Sequence, residues 1–458
     1  MWCKRLFARA VLAALAASAV ALTACGGGSS SGDGKSSTGA DFPTGKTIPT
    51  DPVELTMWWW GDQEAAGARR WVAETVEAYE AEHPNVTIKT VLQTTDSLVP
   101  AFNTAAAARK GPDIQFFWGG INSLEPAWRG YIRPVSDYIP RAELDNYVNA
   151  EEDTFDGKVW TMPWYVQPSF PVLYRKDVLR SAGVEAPTTF DELLAACGAL
   201  RARGITPISG GLKDGFFAGW LYSMLGNQNV SAGDVLAAVA GEQRFDDEQQ
   251  AAWWRQLQAL RDRRCFNDDI NSLQLYQGQQ RWSDGKAAMT VTAGSDVRKF
   301  VESVGVDEVG LMPMPRWADG EYAGKLGSTS QTLGITATTK YPQVAADFLR
   351  FMHTPDRMNS FFRTTGAIPA DDRFDGAQIE LPQLKQIFDY TKEFSPYLED
   401  FIPTELDAKG MFSQVQLLMG GNADADEAAK AIEQLAQRLR MTRPDERENF
   451  AKWAASYR

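Results

Sequence analysis

Short apolar runs rich in β-branched and aromatic residues alternate along this chain with longer stretches whose apolar positions recur every three or four residues. That pattern predicts strands alternating with amphipathic helices. Val53 to Trp60 is the first run, and the stretch after it places Trp71, Val72, Thr75, Val76 and Tyr79 on one helical face before Pro84 stops it. Val86 to Leu92 predicts a second strand. A helix follows with Leu98, Val99, Phe102, Ala105 and Ala106 on one side, and Asp113 to Trp118 predicts a third strand. Such a series predicts a parallel sheet covered by helices on both faces.

A second series opens after Thr161-Met162-Pro163. Phe170 to Arg175 predicts a strand, and Thr189-Phe190-Asp191-Glu192 is a capping box for a helix ending near Gly204. Ile205 to Ser209 predicts the next strand, and Glu248 to Arg263 a long helix that buries Trp253, Leu257 and Leu260. Ala287 to Thr292 returns as a strand ahead of a helix through Val297 and Val301, and the chain from about Tyr341 onward is predominantly helical. Two α/β series in 458 residues predict two lobes, since single cores stop growing at about 250–300 residues.

The first residues break the pattern. Lys4, Arg5 and Arg9 precede an apolar run, Ala10 to Leu22, that is too short to span a bilayer. Leu22-Thr23-Ala24-Cys25 then resembles a bacterial lipobox, which implies loss of residues 1–24 and a lipid on Cys25. Residues 25–52, rich in Gly, Ser, Thr and Pro, predict a flexible tether at the outer face of the cell membrane.

Acidic residues outnumber basic ones, 59 to 46, and loss of the basic leader makes the rest more acidic than the net charge of −13. Such a surface lacks the cationic stripe that nucleic acid needs and disfavours an anionic guest. His83 and His353 lie far apart and give no metal cluster, Cys/His dyad or histidine triad, so neither metal nor cofactor is expected. With Cys3 in the leader and Cys25 at its boundary, Cys197 and Cys265 remain. An exported protein permits a disulfide between them, and two separate buried thiols are the alternative.

Six segments carry a family resemblance: Leu55-Thr56-Met57-Trp58-Trp59-Trp60-Gly61-Asp62, Gly111-Pro112-Asp113-Ile114, Gly157-Lys158-Val159-Trp160-Thr161-Met162-Pro163, Leu173-Tyr174-Arg175-Lys176-Asp177-Val178-Leu179, Gly285-Lys286-Ala287-Ala288-Met289-Thr290 and Ala345-Ala346-Asp347-Phe348-Leu349. In this order they resemble the extracellular solute-binding lipoproteins of ABC importers, the sugar-binding family that includes the maltose-binding protein. The resemblance implies an α/β, type II periplasmic-binding-protein-like fold: two hinged lobes, each a mostly parallel sheet covered by helices. It implies crossings between lobes near Thr161 to Trp164, Arg316 to Gly324 and Ala367 to Arg373. The N-terminal lobe would then hold residues 53–162 and about 320–370, and the C-terminal lobe 163–319 and about 371–458. The expected partners are a small carbohydrate, ABC permease subunits and the membrane that holds the lipid. Nucleic acid is not among them, and the protein is expected to be a monomer without catalytic activity.

In open α/β sheets guests sit beyond the carboxyl ends of the strands, so the candidates gather there. Trp60 ends the first strand. Asp62, in a Gly-Asp turn that the family shares, can accept hydroxyl hydrogen bonds, with Gln63 beside it. Trp118 and Gly119 end the third strand, a flat ring followed by glycine that permits close approach. Trp164 and Gln167 follow the first crossing, Gln167 standing where the maltose-binding relative has an acidic sugar contact. In the second lobe the candidates are Phe216 and Trp220, then Gly294 and Ser295; beyond residue 320 come Ser328 and Thr329. Ser295 is equally a candidate N-cap. With 15 tryptophans in the chain, rings for the faces of pyranoses and polar groups for their hydroxyls favour a carbohydrate. A cage for a quaternary ammonium or polyamine keeps the fold and changes the guest. A surface-anchored glycoside-active enzyme, with Asp62 and a second carboxyl, is the catalytic alternative.

Overall fold

Val53, Leu55, Met57 and Trp59 alternate with more exposed neighbours and fall on the buried side of an extended chain, which makes this segment the first strand. The computed structural model describes residues 48–391 and 396–456. The leader, Cys25 and most of the expected tether lie outside them. Among the described residues the strands are, in chain order, β1 (Val53–Trp59), β2 (Val86–Leu92), β3 (Ile114–Trp118), β4 (Ile132–Arg133), β5 (Thr154–Phe155), β6 (Lys158–Val159), β7 (Met162–Ser169), β8 (Val172–Arg175), β9 (Thr206–Ser209), β10 (Ala287–Val291), β11 (Val309–Met312), β12 (Gly327–Thr336) and β13 (Ile368–Pro369).

Two main sheets define two lobes. The first has seven strands in the order β13-β7-β12-β3-β1-β2, with β4 also on β12; the second has four, β11-β8-β10-β9. Strands β5 and β6 make a separate hairpin. β1 pairs in parallel with β2 and β3, and β9 with β10. The remaining pairs of both main sheets are antiparallel. The sheets are thus mixed, a correction to the expected mostly parallel arrangement. A strand entering a sheet from the facing lobe must run against strands that point toward that lobe, and β12 does so. β7 stays in the first sheet to Ser169, so the first passage lies at Phe170 and Pro171 rather than at Thr161 to Trp164.

Leu55, Met57, Trp71, Trp164 and Phe348 belong to the core of the first lobe. Leu193, Leu221, Trp253, Trp254 and Leu257 belong to that of the second. The capping box forms as expected: Glu192 N donates to Thr189 Oγ1 at 3.3 Å and Thr189 N to Glu192 Oε2 at 3.2 Å, opening the helix Phe190–Arg201. That helix is tied by a disulfide between Cys197 and Cys265, with Cα atoms 5.1 Å apart, to the chain just beyond the helix Glu248–Asp262.

One segment of the helical C-terminal third joins both lobes. The short helical turn Leu398–Phe401 packs in the second core, together with Ile121 and Leu124 from the helix that follows β3. Gly120, at φ 61°, lets this approach happen: a Cβ there would lie 2.5 Å from the Asp400 carbonyl oxygen.

Candidate functional site

Strand β12 is buried at every position, although Gly327 to Thr332 contains no apolar side chain. Thr329 lies opposite Gln167 of β7, and Gln331, two residues on, lies opposite Trp118 of β3. Alternation therefore puts Thr329, Gln331, Gln167 and Trp118 on one face. Gln331 is fully buried, yet neither its Oε1 nor its Nε2 has a hydrogen-bond partner; Gln167 Oε1 has none either. Buried polar atoms are rarely left so, because each costs about 1–3 kcal/mol.

All four line a cavity of about 200 Å³, far more than the ~10–15 Å³ that one water needs. The second lobe adds rings. Phe216 and Trp220 lie one turn apart where the helix Phe217–Gly226 begins, and Phe170 stacks on Trp220 at 3.9 Å and 15°. Phe170 itself has φ 64° at the passage between the lobes, a left-handed conformation that costs a bulky residue about 1–3 kcal/mol and persists only where its surroundings demand it. Tyr276 and Tyr397 complete the aromatic lining.

Five carboxyl groups also face the cavity: Glu64, Asp296, Glu399, Asp400 and Asp407. Glu64, in the loop after β1, accepts from the Trp118 indole N–H at 3.1 and 3.2 Å. Burial pushes Glu64 up to about 7, against that hydrogen bond and with help from the charge of Asp296. Burial likewise lifts Asp296 to about 6, opposed by Lys299. Burial raises Glu399, Asp400 and Asp407, the last to about 7, and their proximity to one another adds to the rise in Glu399 and Asp400. Tyr397 donates its hydroxyl to Glu399. Glu399 reaches this place because residue 219 is glycine; a Cβ there would overlap its carboxyl. Behind Asp400 lie Glu152 and Asp153, the latter held at about 7 by burial although Ser123 Oγ, at 2.5 Å, and Gly120 N donate to it.

Of the residues singled out from sequence, Trp118, Gln167, Phe216, Trp220 and Thr329 line the cavity. The others do not. Trp60 turns into the core after β1 ends, edge-on to Phe116 and stacked with Trp164, itself buried beside Trp71. Asp62 Oδ1 accepts from Arg69 N and Gln63 Oε1 from Thr95 N, each tying down the start of a neighbouring helix. Gly119 N donates to Ser330 O within the sheet, and Ser328 Oγ accepts from Asn149. Gly294 packs against Pro168. Ser295 does not act as the N-cap; its hydroxyl donates across to the carbonyl of Glu64 at 2.5 Å, second lobe to first. Sequence reasoning missed Glu64, two positions past Asp62. It also missed the acid-and-aromatic run Tyr397-Leu398-Glu399-Asp400-Phe401, which was read only as helix.

Known proteins place the fold. The chain is 22% identical over 356 residues, 73% of its own length and 75% of the relative's, to an uncharacterised ABC transporter extracellular-binding protein of Pyrococcus horikoshii. Its structure is similar to that of a chitin oligosaccharide binding protein, with a TM-score of 0.77, 21% identity, and 85% of this chain and 99% of that one covered. It is also similar to the maltose/maltodextrin-binding domain of Bdellovibrio bacteriovorus bound to maltotriose, with a TM-score of 0.67, 17% identity, and coverage of 84% and 99%. These likenesses fix a two-lobed periplasmic-binding-protein-like fold of type II. The family model for bacterial extracellular solute-binding proteins matches residues 61–358, more than half of the sequence. A cavity between two lobes, lined with rings and unsatisfied polar atoms, suits that family's task of holding a solute without transforming it, and the chain belongs to the bacterial extracellular solute-binding proteins.

Proposed function

We propose that this protein is the receptor of an ABC importer: it captures a carbohydrate in the cavity between its lobes and delivers it to a membrane permease. The observation that carries this reading is the pairing, on one cavity surface, of stacked rings with buried amides that lack partners. Sugar rings offer apolar C–H faces to Trp118 and Trp220, and hydroxyls that both donate to Gln167 Oε1 and accept from Gln331 Nε2. Structural neighbours named for binding chitin oligosaccharide and maltotriose support the same class of guest. Closure follows from contact with both lobes, because a ligand shifts the balance only as far as it binds the shut form better. In this reading Cys25 carries the lipid and residues 26–52 hold the receptor at the outer face of the cell membrane. No helix among the described residues is long and apolar enough to cross it.

Thermal-shift screening and calorimetry with mono- and oligosaccharides test the reading. A true guest at 100 times its dissociation constant adds about 2.7 kcal/mol of stability, shifts tryptophan emission and shrinks the radius of gyration. Saturable binding of betaine or putrescine with no sugar bound refutes a carbohydrate guest. Turnover of a glycoside by substoichiometric protein refutes a purely binding role.

A further inference from the structure

The ionisable groups that line the cavity are of one kind. Glu64, Asp296, Glu399, Asp400 and Asp407 face it, and no lysine, arginine or histidine does among the described residues. Among the described residues the cation within 4 Å of any of the five is the half-exposed Lys299, whose ammonium stands 4.0 Å from Asp296 Oδ1. Ionised carboxylates gathered in a dry space repel one another and lack hydration, so they either keep their protons or acquire a counter-charge. A metal ion is not that counter-charge: among the described residues no three acids converge as a coordination site requires.

We propose that the guest is a cationic sugar, a carbohydrate bearing at least one free protonated amine, which these carboxylates neutralise while Trp118 and Trp220 stack on its ring faces. The proposal rests on the carbohydrate reading above and narrows it. Other organic cations fit the lining less well. A quaternary ammonium offers no hydrogen bond to Gln331, and a fully protonated polyamine offers no acceptor to its Nε2 donor, whereas sugar hydroxyls serve both atoms of the amide. The fully buried Gln331, aimed into the cavity face without a partner, and the unpaired Asp400 Oδ2 mark where such a guest binds.

The groups that would respond to it form two sets. Around Glu64 and Asp296 stand Tyr165, Tyr276 and Lys299. Around Glu399, Asp400 and Asp407 stand Tyr397, Tyr222, Thr329 and the buried pair Glu152 and Asp153, with Glu151 beyond. Carboxyls that hold protons in the empty cavity release them when an ammonium arrives, so in the range where the amine stays charged binding expels protons and tightens as pH rises.

The deciding comparison uses glucosamine oligomers of two to four units and their N-acetylated counterparts, identical in ring, linkage and length but not in charge. Calorimetry near pH 6, where the sugar amines are still charged, should show the free amines binding about a hundredfold more tightly. Between about pH 4.5 and 6 their affinity should rise at least tenfold, and titrations near pH 6 in buffers of different ionisation enthalpy should show net proton release from the wild-type protein. The double variant Asp400→Asn, Asp407→Asn, which replaces two carboxyls by amides of the same shape, should lose the preference for amines while its circular dichroism stays unchanged. Equal affinity for the two series, preference for the acetylated one, or an affinity flat with pH would overturn the amine and leave the carbohydrate reading intact. Binding of betaine or putrescine with no sugar of either series would overturn both.

Discussion

At the scale of single residues, the cavity departs from what the core rewards. Gln331 is buried without partners, and replacing such a group by an apolar one of similar shape is neutral or stabilising. Gln331→Met should therefore raise the stability of the empty protein by about 1 kcal/mol while weakening ligand binding at least tenfold, about 1.4 kcal/mol. Urea unfolding and calorimetry on the same sample check both signs, and a loss of stability would mean that the amide is satisfied in solution. The residue scale is also where sequence reasoning succeeded least. Trp118, Phe216 and Trp220 were legible because rings beside strand ends and glycines suit a cleft. Trp60 obeyed the same rule but turned inward, because β1 ends at Trp59 and the indole then packs on Phe116 and Trp164. The acids were invisible for a different reason: a carboxyl that faces a cavity and one that faces solvent have the same letter, and only the fold removes one from water.

At the scale of elements, strands with apolar alternation were read correctly and strands without it were not. β1, β2 and β3 carry their burial in their pattern. β12 does not: Gly-Ser-Thr-Ser-Gln-Thr shows no apolar alternation, yet pairing on both sides buries it whole. β7 escaped in part because Pro163 and Pro168 argue against a central strand. The Thr189 capping box and the long helix beginning at Glu248 were read from caps and period alone. The disulfide links these two regions of the second lobe across 68 residues of sequence. A closed loop of that length restricts the unfolded chain, so Cys197→Ala, Cys265→Ala should lower stability by about 2–4 kcal/mol. Chemical denaturation of the oxidised protein and of the double variant measures the difference, and equal midpoints would show that packing alone holds the helices.

At the scale of the whole molecule, the buried acids govern how stability follows pH. Burial raises Glu64, Asp153 and Asp407 to about 7 and Asp296 to about 6, above their ordinary carboxylate values. The folded state thus holds protons that the unfolded chain gives up. Their stabilisation is complete below the ordinary carboxylate range near pH 4 and fades as pH climbs through 6 and 7. His353, kept neutral by burial, works the other way and loses its contribution as pH falls below its ordinary value near 6.5. Four carboxyls outweigh one imidazole, so the empty protein should unfold at higher urea concentration near pH 5 than near pH 8; the reverse order would show those acids hydrated in solution. A further consequence belongs to Ser295, whose hydroxyl reaches from the second lobe to the Glu64 carbonyl of the first and which does not itself line the cavity. In the closure proposed above, a tie so placed weighs the ajar form of the vacant protein against the shut one and is indifferent to what arrives. Ser295→Ala, removing about 1 kcal/mol, should multiply every dissociation constant by a common factor of about five and leave the ranking of guests untouched. A reshuffled ranking in parallel titrations would place the hydroxyl within recognition itself. With the ranking kept, the readiness of the lobes to shut is adjustable apart from the choice of cargo.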